Sequence, residues 1–349
     1  MTASENPTDD PSDGTPNGQP KRDVGVAWHL GSPFIEQGEL ARGAALVDLS
    51  HLGVIVVDGV DRLTWLHDLT TAYLTDLPAG DSRMALILDQ NGHALHELHI
   101  VAGADRCWLI VEADEKQAVL DYLNAMRFML RVEVHDVSET TAVVAGAPAA
   151  APAGTLAHWQ MPGEFAGTGV TPAGIDAGGG AQKYVPERPG VFPIDQWIIA
   201  RSQLDEVLAG SESVAGTWAW EALRVAAGVP RVAADADPKS LPHELGLIGP
   251  GVHLAKGCYR GQEAVARTHN MGRPPRRLVQ LLLSDSETPV APGAEVFLAD
   301  RKVGQITSVT NHYENGPLAL ATIKRRVDPT AELTVAGTPA SQVPIVFAG

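Results

Sequence analysis

The segment KGCYRGQE, which spans residues 256–263, places a thiol between two cations. Cys258 is one of two cysteines in a chain of 349 residues. A thiol acts as a nucleophile or a metal ligand in its thiolate form, and neighbouring cations stabilise that form. Lys256 and Arg260 are the nearest cations in the sequence. The segment therefore predicts a reactive cysteine.

Two glycines enclose this cysteine and suit it to an exposed turn. Gly257 and Gly261 allow backbone conformations that other residues rarely adopt. The residues QEAVART that follow are expected to begin a helix, and the amides at a helix N-terminus favour a nearby anion. The alternative interpretation is a small buried cysteine that only packs in a sharp turn.

Three histidines and the second cysteine give no metal-ligand pattern. On a strand, His93 and His99 point to one side and His96 to the other, so the three cannot converge on one ion without distortion. We expect solvated or hydrogen-bonded histidines. Cys107 lies in the apolar segment RCWLIV, which predicts a core residue far from the other cysteine in sequence. The sequence therefore predicts neither a metal site nor a disulfide.

Strand and helix patterns together predict an α+β fold that positions these residues. The segment DRLTWLHDLTT predicts a short helix opened by Asp61. A second helix is expected in DEKQAVLDYLNAMRFML, with the apolar residues from Val119 to Met126 on one face. Asn91-Gly92 between two apolar runs predicts a hairpin whose two central residues both have positive φ.

Changes in composition predict three parts of the chain. Residues 1–22 are polar and rich in Pro and Gly, which predicts a disordered tail. Residues 23–271 are expected to form the α+β domain, with a mobile Ala/Pro/Gly-rich loop over about 147–190. Short alternating runs then predict a C-terminal β-barrel over residues 272–349.

Charge and hydropathy exclude several classes of function. The formal net charge of −16 argues against broad binding to a nucleic-acid backbone, which needs clustered Lys and Arg. No apolar run approaches the length of a membrane span, and the N-terminal segment lacks the apolar core of a signal peptide. We therefore expect a cytoplasmic protein that binds neither nucleic acid nor membrane.

The cysteine motif resembles the signature of the YgfZ folate-binding family, in which Lys-Gly-Cys-Tyr-x-Gly-Gln-Glu is followed by Val-Ala-Arg. All seven fixed positions of the first run are present, and Arg267 follows them. The matching residues are Lys256, Gly257, Cys258, Tyr259, Gly261, Gln262 and Glu263. Weaker similarity covers most of the chain, since WEALRVAAGVPR, LPHELGL and the stretch from Val47 to Leu77 resemble parts of this family and of the related glycine-cleavage aminomethyltransferases.

The resemblance implies a fold, a ligand and partners. The fold is a ring of modules around a folate cavity, with two interleaved GcvT-like modules and a small C-terminal barrel. Tetrahydrofolate or a derivative is the implied ligand, and Arg224 and Glu244 are candidates to bind it, because carboxylates pair with a pterin edge and cations with a glutamate tail. The family is associated with iron-sulfur cluster assembly or repair. The implied partners are therefore iron-sulfur proteins such as tRNA methylthiolases, or their assembly factors.

Departures from the aminomethyltransferases leave three alternatives open. Those enzymes carry an Asp-Asp pair where this chain has His96 and Glu97, and their Gly-Tyr-Thr-Gly-Glu segment has no counterpart in residues 160–200. The first alternative is a tetrahydrofolate-dependent aminomethyltransferase or other one-carbon transferase. The second is a thiol hydrolase that pairs Cys258 with His269. The third is a non-catalytic interaction scaffold with an empty cavity.

Overall fold

The computed structural model describes residues 23–168, 188–271, 274–284 and 290–346. These residues form two five-stranded sheets, a closed six-stranded barrel and nine α-helices. The tail predicted over residues 1–22 lies outside the described ranges. The helices are α1 (Pro33–Ala41), α2 (Arg62–Leu69), α3 (Lys116–Ala125), α4 (Gly163–Ala166), α5 (Leu204–Gly210), α6 (Thr217–Ala226), α7 (Val232–Asp235), α8 (Pro242–Leu245) and α9 (Gln262–Met271).

Five strands form sheet 1, namely β1 (Ala45–Asp48), β7 (Thr141–Gly146), β8 (Ala157–Trp159), β9 (Asp195–Ala200) and β10 (Ser213–Ala215). Their order is β10-β1-β7-β9-β8, and only the pair β1–β10 is parallel among them. Neighbouring residues of a strand point to opposite faces. Val47 and Val143 accordingly face the largest core, while Leu46 and Val144 belong to a smaller core that includes side chains of α5.

Five further strands form sheet 2, namely β2 (Gly53–Asp58), β3 (Ser82–Leu88), β4 (Ala94–Ala102), β5 (Arg106–Val111) and β6 (Glu133–Asp136). Their order is β3-β4-β5-β2-β6, and all pairs are antiparallel. The largest hydrophobic core lies between the two sheets and contains residues of both. This arrangement confirms the predicted α+β class.

The hairpin predicted at Asn91-Gly92 joins β3 and β4, but its turn differs from the expected one. Gly92 has φ +81°, whereas Asn91 is not in the left-handed region. The amide of Gly92 donates to the oxygen of Asp89 (3.1 Å), and the amide of Asp89 donates to the oxygen of His93 (3.0 Å). The loop therefore has three residues and ends on a left-handed glycine, which is a common alternative to the two-residue turn.

Helices α2 and α3 pack on one face of sheet 2. As predicted, α3 buries Val119 and Leu123, and it ends one residue before Met126. Asp61 directly precedes α2, but its carboxylate binds the guanidinium of Arg131 (2.7 Å) rather than an amide of the helix. The helix position was thus predictable from periodicity, while the contact made by Asp61, the residue before the helix, depends on a distant arginine.

Six strands form the C-terminal barrel, namely β11 (Arg276–Leu283), β12 (Glu295–Leu298), β13 (Arg301–His312), β14 (Gly316–Lys324), β15 (Leu333–Val335) and β16 (Thr338–Pro344). The barrel closes because β11 pairs with both β14 and β16. The side chain of Gln280 donates to the backbone oxygens of Val225 (2.8 Å) and Ala226 (2.9 Å), which end α6. The predicted barrel is confirmed, and it is attached to the α+β part through a helix terminus.

The segment predicted as a loop over about 147–190 contains regular structure. Strand β8 pairs with β9 in sheet 1, and the short helix α4 follows. Residues 169–187 lie outside the described ranges. A three-residue strand carries too little alternation to be recognised among Ala, Pro and Gly. No helix in the described parts of the chain is both long and apolar enough to cross a membrane.

Candidate functional site

The cysteine motif forms a loop that leads into α9, as the sequence predicts. The side-chain amide of Gln262, the first residue of α9, donates to the backbone oxygen of Lys256 (3.3 Å). This hydrogen bond closes the loop around Cys258, which is exposed. Glu263 and Arg267 lie on the exposed side of α9. The thiol is therefore at the surface, close to the N-terminus of a ten-residue helix.

The second glycine of the motif makes a close backbone contact with the β3–β4 hairpin. Gly261 has φ +84°, and a Cβ atom on it would lie 2.5 Å from the oxygen of Asp89 and 2.9 Å from the Cα of Gly92. A Cβ atom on Gly92 would lie 3.0 Å from that of Ala264. A side chain at either glycine would push the loop and the hairpin apart, so both positions require glycine.

Lys256 attaches the loop to the C-terminal end of α2. Its buried ammonium group donates to the backbone oxygens of His67 and Thr70, the latter at 2.5 Å. Carbonyls at a helix C-terminus lack helical partners and favour a cation. Burial lowers the pKa of Lys256 to about 8, while the charges of Asp68 and Cys258 oppose this effect. Lys256 is thus a structural anchor and also a cation close to the thiol.

Two further motif residues contact other elements. Tyr259 is buried, with the ammonium of Lys256 at 4.7 Å from its ring centre, and burial raises the pKa of its hydroxyl to about 12. Burial also raises the pKa of Tyr122 on α3, and the positive charge of Arg260 opposes that rise. Arg260, expected from the sequence to stabilise the thiolate, is therefore also close enough to α3 to influence Tyr122.

The two cysteines are expected to differ strongly in reactivity. Cys107 is fully buried, as predicted, and burial raises the pKa of its thiol to about 11. Iodoacetamide at neutral pH should therefore alkylate the exposed Cys258 at least about tenfold faster than Cys107 in the folded chain. Timed labelling followed by peptide mass spectrometry measures both rates, and the urea-unfolded chain is the control in which the rates converge. Equal rates in the folded chain would contradict this expectation.

The three histidines on and before β4 are hydrogen-bonded to carboxylates, as the sequence predicts. Each has its own partner, at 2.9 to 3.0 Å. The pairs are His93 with Asp89, His96 with Glu115 and His99 with Glu97. Within the described residues, no group of three or more His, Cys, Asp or Glu side chains could hold a metal ion.

A deep cavity of about 50 Å³ lies between the two sheets and α6. Aromatic and apolar side chains form most of the wall, and polar groups occupy one side. The aromatic residues are Trp159, Phe165, Phe192 and Trp220, and the polar ones are Glu97, His99, Glu112, Gln196, Arg224 and Arg231. Such a wall suits a flat aromatic ligand with a polar edge.

His99 organises the polar side of the deep cavity. Its ring stacks on Trp159, with 3.7 Å between ring centres and 8° between the planes. Its two ring nitrogens lie 2.9 Å from Glu97 and 2.9 Å from Gln196. The second oxygen of Glu97 accepts the amide of Val232 (2.9 Å). Glu97 is therefore held in place, yet each carboxylate oxygen has a further acceptor site for a ligand.

Arg231 gathers three carboxylates beside the deep cavity. It binds Glu112 (2.5 and 2.7 Å), Glu221 (2.9 Å) and Asp23 (2.9 Å). His51 lies 3.3 Å from Asp23. Burial opposes the ionisation of Asp23, but the charges and hydrogen bonds of Arg231 and His51 outweigh it and hold the pKa of Asp23 at about 2. We name this group the Arg231 cluster.

Arg224 lines the deep cavity, but its guanidinium is used within the chain. It donates to both oxygens of Glu221 (2.9 and 2.7 Å), to Asp235 (2.9 Å), to the oxygen of Val229 (3.1 Å) and to the hydroxyl of Ser308 (2.8 Å). These five bonds engage all five N–H donors of an arginine. Ligand binding by Arg224 stays a prediction, and its contacts favour a role in holding the cavity wall against α7 and the barrel.

Glu244, the other predicted ligand-binding residue, is fully buried where α8 meets the barrel. One of its oxygens accepts the backbone amide (3.0 Å) and Nε (3.1 Å) of Arg276. The other accepts the guanidinium of Arg276 (2.8 Å) and the amide of Leu241 (3.1 Å). Glu244 is not part of the deep cavity wall, so its role in ligand binding also stays a prediction.

An outer cavity of about 610 Å³ adjoins the deep one. Met84 and Met161 line both cavities, so the two are adjacent. The outer wall also contains Arg83, which is exposed, and Glu164. A long ligand could therefore extend from the deep cavity towards a cation at the surface.

A series of aromatic rings connects the outer cavity to the cysteine motif. Tyr73 and His253 line the cavity, with 5.5 Å between their ring centres. Tyr73 also meets the ring of His67 edge-on at 5.1 Å. A Cβ atom on Gly257 would lie 3.8 Å from Nε2 of His67. The loop that carries Cys258 therefore flanks the outer cavity.

Two buried polar atoms on the cavity walls have no hydrogen-bond partner among the described residues. They are Nε1 of Trp220 in the deep cavity and Oε1 of Glu164 in the outer one. Burial raises the pKa of Glu164. Unpaired buried polar atoms are rare in folded proteins. Together with Glu97, they fit a ligand that offers both donors and acceptors, as the pterin of the implied folate does.

Sequence reasoning missed most of the residues that shape the deep cavity. Trp159 and Trp220 were not singled out, because an isolated tryptophan in an apolar run usually indicates core packing. Arg231 directly follows the Gly-Val-Pro segment that ends α6. This arginine could have been singled out as a candidate, since an arginine that becomes buried needs carboxylate partners. Glu112 directly follows β5 and carried no comparable signal.

Comparisons with known proteins give one family match and several relatives. A family model described as the GCVT N-terminal domain matches residues 35–159. The chain is 27% identical to a transferase-like chloroplastic protein of Arabidopsis thaliana, over 81% of this chain and 66% of that protein, so it spans just under two thirds of that relative. It is 25% identical to the tRNA-modifying protein YgfZ of Yersinia enterocolitica, over 74% of this chain and 76% of the relative. It is 26% identical to the aminomethyltransferase of Streptomyces avermitilis, over 76% of this chain and 74% of that enzyme.

A solved structure agrees with the fold. The glycine cleavage system aminomethyltransferase T from Bartonella henselae matches with a TM-score of 0.69 and 20% identity, over 91% of this chain and 90% of that one. At this identity the match shows a shared fold, which includes the relative arrangement of the sheets and the barrel.

Proposed function

We propose that this chain, which is similar both to YgfZ and to the glycine-cleavage aminomethyltransferases, binds a reduced folate and supports iron-sulfur enzymes as an accessory protein. The observation that carries the proposal is the deep cavity, whose polar and aromatic wall adjoins an outer cavity lined by His253, three residues before the cysteine motif. The folate is tetrahydrofolate or a derivative.

The cavity walls supply the groups that a folate needs. A pterin edge carries N–H donors, and Glu97 is the fixed carboxylate that accepts them. Trp159 and Trp220 provide aromatic surface for the ring system. The outer cavity receives the remainder of the ligand, and the exposed Arg83 is a cation for its glutamate carboxylates.

Cys258 is the residue through which the protein acts on its partners. We assign its thiolate the task of holding a transient sulfur or iron species, which is cargo for an iron-sulfur protein. Lys256 supplies a positive charge beside the anion, and the glycines keep the turn open to solvent. The partners in this proposal are iron-sulfur proteins or their assembly factors in the cytoplasm. Neither nucleic acid nor membrane is contacted directly.

We expect Glu97→Gln to weaken tetrahydrofolate binding at least about tenfold, because a charge-assisted hydrogen bond to the pterin edge is lost. His96→Gln is the matched control, since His96 is the next residue along β4 and pairs with Glu115 rather than with the cavity. Calorimetry under anaerobic conditions measures both affinities, and thermal melting checks the fold. Unchanged binding by Glu97→Gln would remove Glu97 from the site.

The proposed cellular role is tested with the two cysteines. In cells that lack the native protein, Cys258→Ser should fail to restore methylthiolated tRNA nucleosides, measured by mass spectrometry, although it keeps the fold and the folate affinity. Cys107→Ser should restore them, because only core packing changes. Full restoration by Cys258→Ser would mean that the exposed thiol is not needed for this function.

A one-carbon transferase is the second candidate function, because aminomethyltransferases are among the relatives and share the fold. Measured aminomethyl transfer from a lipoylated carrier protein to tetrahydrofolate would favour this transferase function. We expect no such transfer, since His96 points to Glu115 and the wall offers Glu97 where those enzymes carry aspartates. The hydrolase alternative, which needs His269 beside Cys258, has weaker support. The loop that carries Cys258 ends at Gln262, and His269 lies seven residues further along α9, about 10 Å along the helix axis from Gln262.

A further inference from the structure

His67, in the last turn of α2, is a buried histidine next to the cysteine motif. The residue is 7% exposed. A Cβ atom on Gly257 would lie 3.8 Å from Nε2 of His67, and apart from the chain neighbours of Gly257 no other described atom would lie within 4 Å of it. Lys256, the residue before this glycine, donates to the backbone oxygen of His67. The imidazole therefore faces the backbone that leads directly into Cys258.

A backbone hydrogen bond determines which nitrogen of the His67 ring carries the proton. The amide of Leu74 donates to Nδ1 of His67 (3.2 Å), so Nδ1 uses its lone pair as an acceptor. In the neutral ring the proton is then on Nε2, the nitrogen that faces Gly257. Within the described ranges this N–H has no hydrogen-bond acceptor. A buried side chain thus directs an unused donor at the cysteine loop.

The surroundings of His67 keep its ring neutral. Burial is the largest effect and lowers the pKa of His67, and the charges of Lys256 and His253 act in the same direction. Two carboxylates oppose these effects without outweighing them, and in the described part of the chain neither forms an ion pair with the ring. They are Asp68 and Asp76. A second proton would also have to bind Nδ1 and displace the amide of Leu74. The donor on Nε2 is therefore present at neutral pH and above.

An aromatic neighbour fixes the orientation of the His67 ring. Tyr73 meets this ring edge-on, with 5.1 Å between ring centres and 84° between the planes. Tyr73 is itself held by the carboxylate of Asp76, which accepts its hydroxyl (3.1 Å), and by the ring of His253 at 5.5 Å. Together with the bond from Leu74, these contacts leave the imidazole little freedom to turn away from Gly257.

Cys258 is the acceptor that this donor can serve. Of the two side chains that flank Gly257, Lys256 carries only donors, whereas a thiolate accepts hydrogen bonds. The side chain of Cys258 is exposed and makes no hydrogen bond with the described residues, so rotation about its Cα–Cβ bond can bring the sulfur towards the ring. Burial lowers the pKa of Lys256 to about 8, so its charge is lost as the pH rises, while a neutral imidazole keeps its proton. The two donors therefore support an anionic sulfur over complementary pH ranges.

We propose that His67 is a positioning residue for Cys258, whose anionic sulfur accepts a hydrogen bond from Nε2 of the neutral imidazole. This inference deepens the proposed function and rests on it, because it names a residue that stabilises the thiolate to which that function assigns the cargo. The hydrogen bond does not involve the folate cavity, so it is tested without folate. A chain that fails to bind folate would count against the proposed function and not against the role of His67.

Two substitutions separate this role of His67 from a structural one. In His67→Asn the side-chain oxygen takes the place of Nδ1 and accepts the amide of Leu74, but no group replaces Nε2. In His67→Gln a side-chain N–H takes the place of Nε2, while the amide of Leu74 loses its acceptor. The rate of iodoacetamide alkylation of Cys258 is measured against pH in both variants and in the wild type by peptide mass spectrometry.

The pH midpoint of this alkylation should rise by about 0.5 unit or more in His67→Asn, because the anion loses a donor. His67→Gln should keep the wild-type midpoint, although it should melt at a lower temperature, because a buried amide is left without an acceptor. A histidine with a structural role alone would give the reverse pattern. The inference is overturned if His67→Asn leaves the midpoint unchanged, or if His67→Gln moves it as far as His67→Asn does.

Nitrogen NMR of the wild type with isotope-labelled histidine is a second test that needs no substitution at His67. The neutral ring should carry its proton on Nε2, and alkylation of Cys258 should shift the Nε2 resonance of His67 more than its Nδ1 resonance. A ring that carries its proton on Nδ1, or an Nε2 resonance that does not respond to alkylation, would overturn the inference.

Discussion

Gly261→Ala is expected to destabilise the chain by about 2–5 kcal/mol. The left-handed backbone at φ +84° costs an alanine about 1–2 kcal/mol. The added Cβ would lie 2.5 Å from the backbone oxygen of Asp89 and 2.9 Å from the Cα of Gly92, and such overpacking costs a further 1–3 kcal/mol or so. Both neighbours are backbone atoms of a hydrogen-bonded hairpin, so they cannot move aside cheaply. Urea unfolding measures the change in the free energy of unfolding.

Gly80→Ala is the matched control for this prediction. Gly80 has φ +94°, close to that of Gly261, but nothing lies within 4 Å of a Cβ atom there. Its alanine variant should lose only about 1–2 kcal/mol from the backbone conformation. The difference between the two variants therefore isolates the contact between the motif loop and the hairpin. Equal losses in the free energy of unfolding would mean that the motif loop and the hairpin are not in close contact at Gly261.

Arg231→Met is expected to cost about 3–5 kcal/mol at neutral pH, because it leaves buried carboxylates without their cation. Glu112, Glu221 and Asp23 all bind this guanidinium. The loss should shrink as the pH falls, because protonated carboxylates no longer need the cation. Urea unfolding at several pH values measures this loss in the free energy of unfolding.

The pH dependence of the wild type follows from the pKa of Asp23, which is about 2 in the folded chain and near 3.8 without its partners. A carboxyl whose pKa is lowered by folding stabilises the folded state above its unfolded pKa, and this contribution is lost as the pH falls towards the folded pKa. The wild type should therefore lose about 2 kcal/mol from this group between pH 4 and about 2. In Arg231→Met this part of the acid-induced loss should disappear.

Lys302→Met supplies the control for the Arg231 cluster. Lys302 and Glu295 form an ion pair at 2.7 Å, but both side chains are about half exposed. Exposed pairs contribute about 0–1 kcal/mol, so this variant should be nearly as stable as the wild type at every pH. If Arg231→Met lowered the free energy of unfolding as little as Lys302→Met does, this would contradict our view of the Arg231 cluster. In that view, the cluster joins the segment around Asp23 to sheet 2 and to α6.

Local features of the chain were predictable because neighbouring residues determine them. The helix after the cysteine begins at Gln262, where the motif suggested, and the glycine of the β3–β4 hairpin has positive φ. The barrel was predictable from the spacing of its strands. The three-residue strand β8 was not, because it is too short to show a period.

The cavity wall was not predictable, because its contacts join residues that are far apart in the chain. Arg231 and Glu112 are 119 positions apart, and His99 and Gln196 are 97 apart. Periodicity and local motifs carry no information about such pairs. Arg224 and Glu244 were reasonable candidates by type, yet both are engaged by partners that only the folded chain reveals.

The most direct test of the central claim is a calorimetric titration of the full chain with tetrahydrofolate under anaerobic conditions. The proposed site accounts for one ligand per chain, because the deep and outer cavities are adjacent and share Met84 and Met161 in their walls. The account predicts saturable binding with a stoichiometry of one. If the titration shows no saturable binding, and thermal melting shows that the chain is folded, the claim of a folate site is contradicted. That result would favour a scaffold whose cavity is empty.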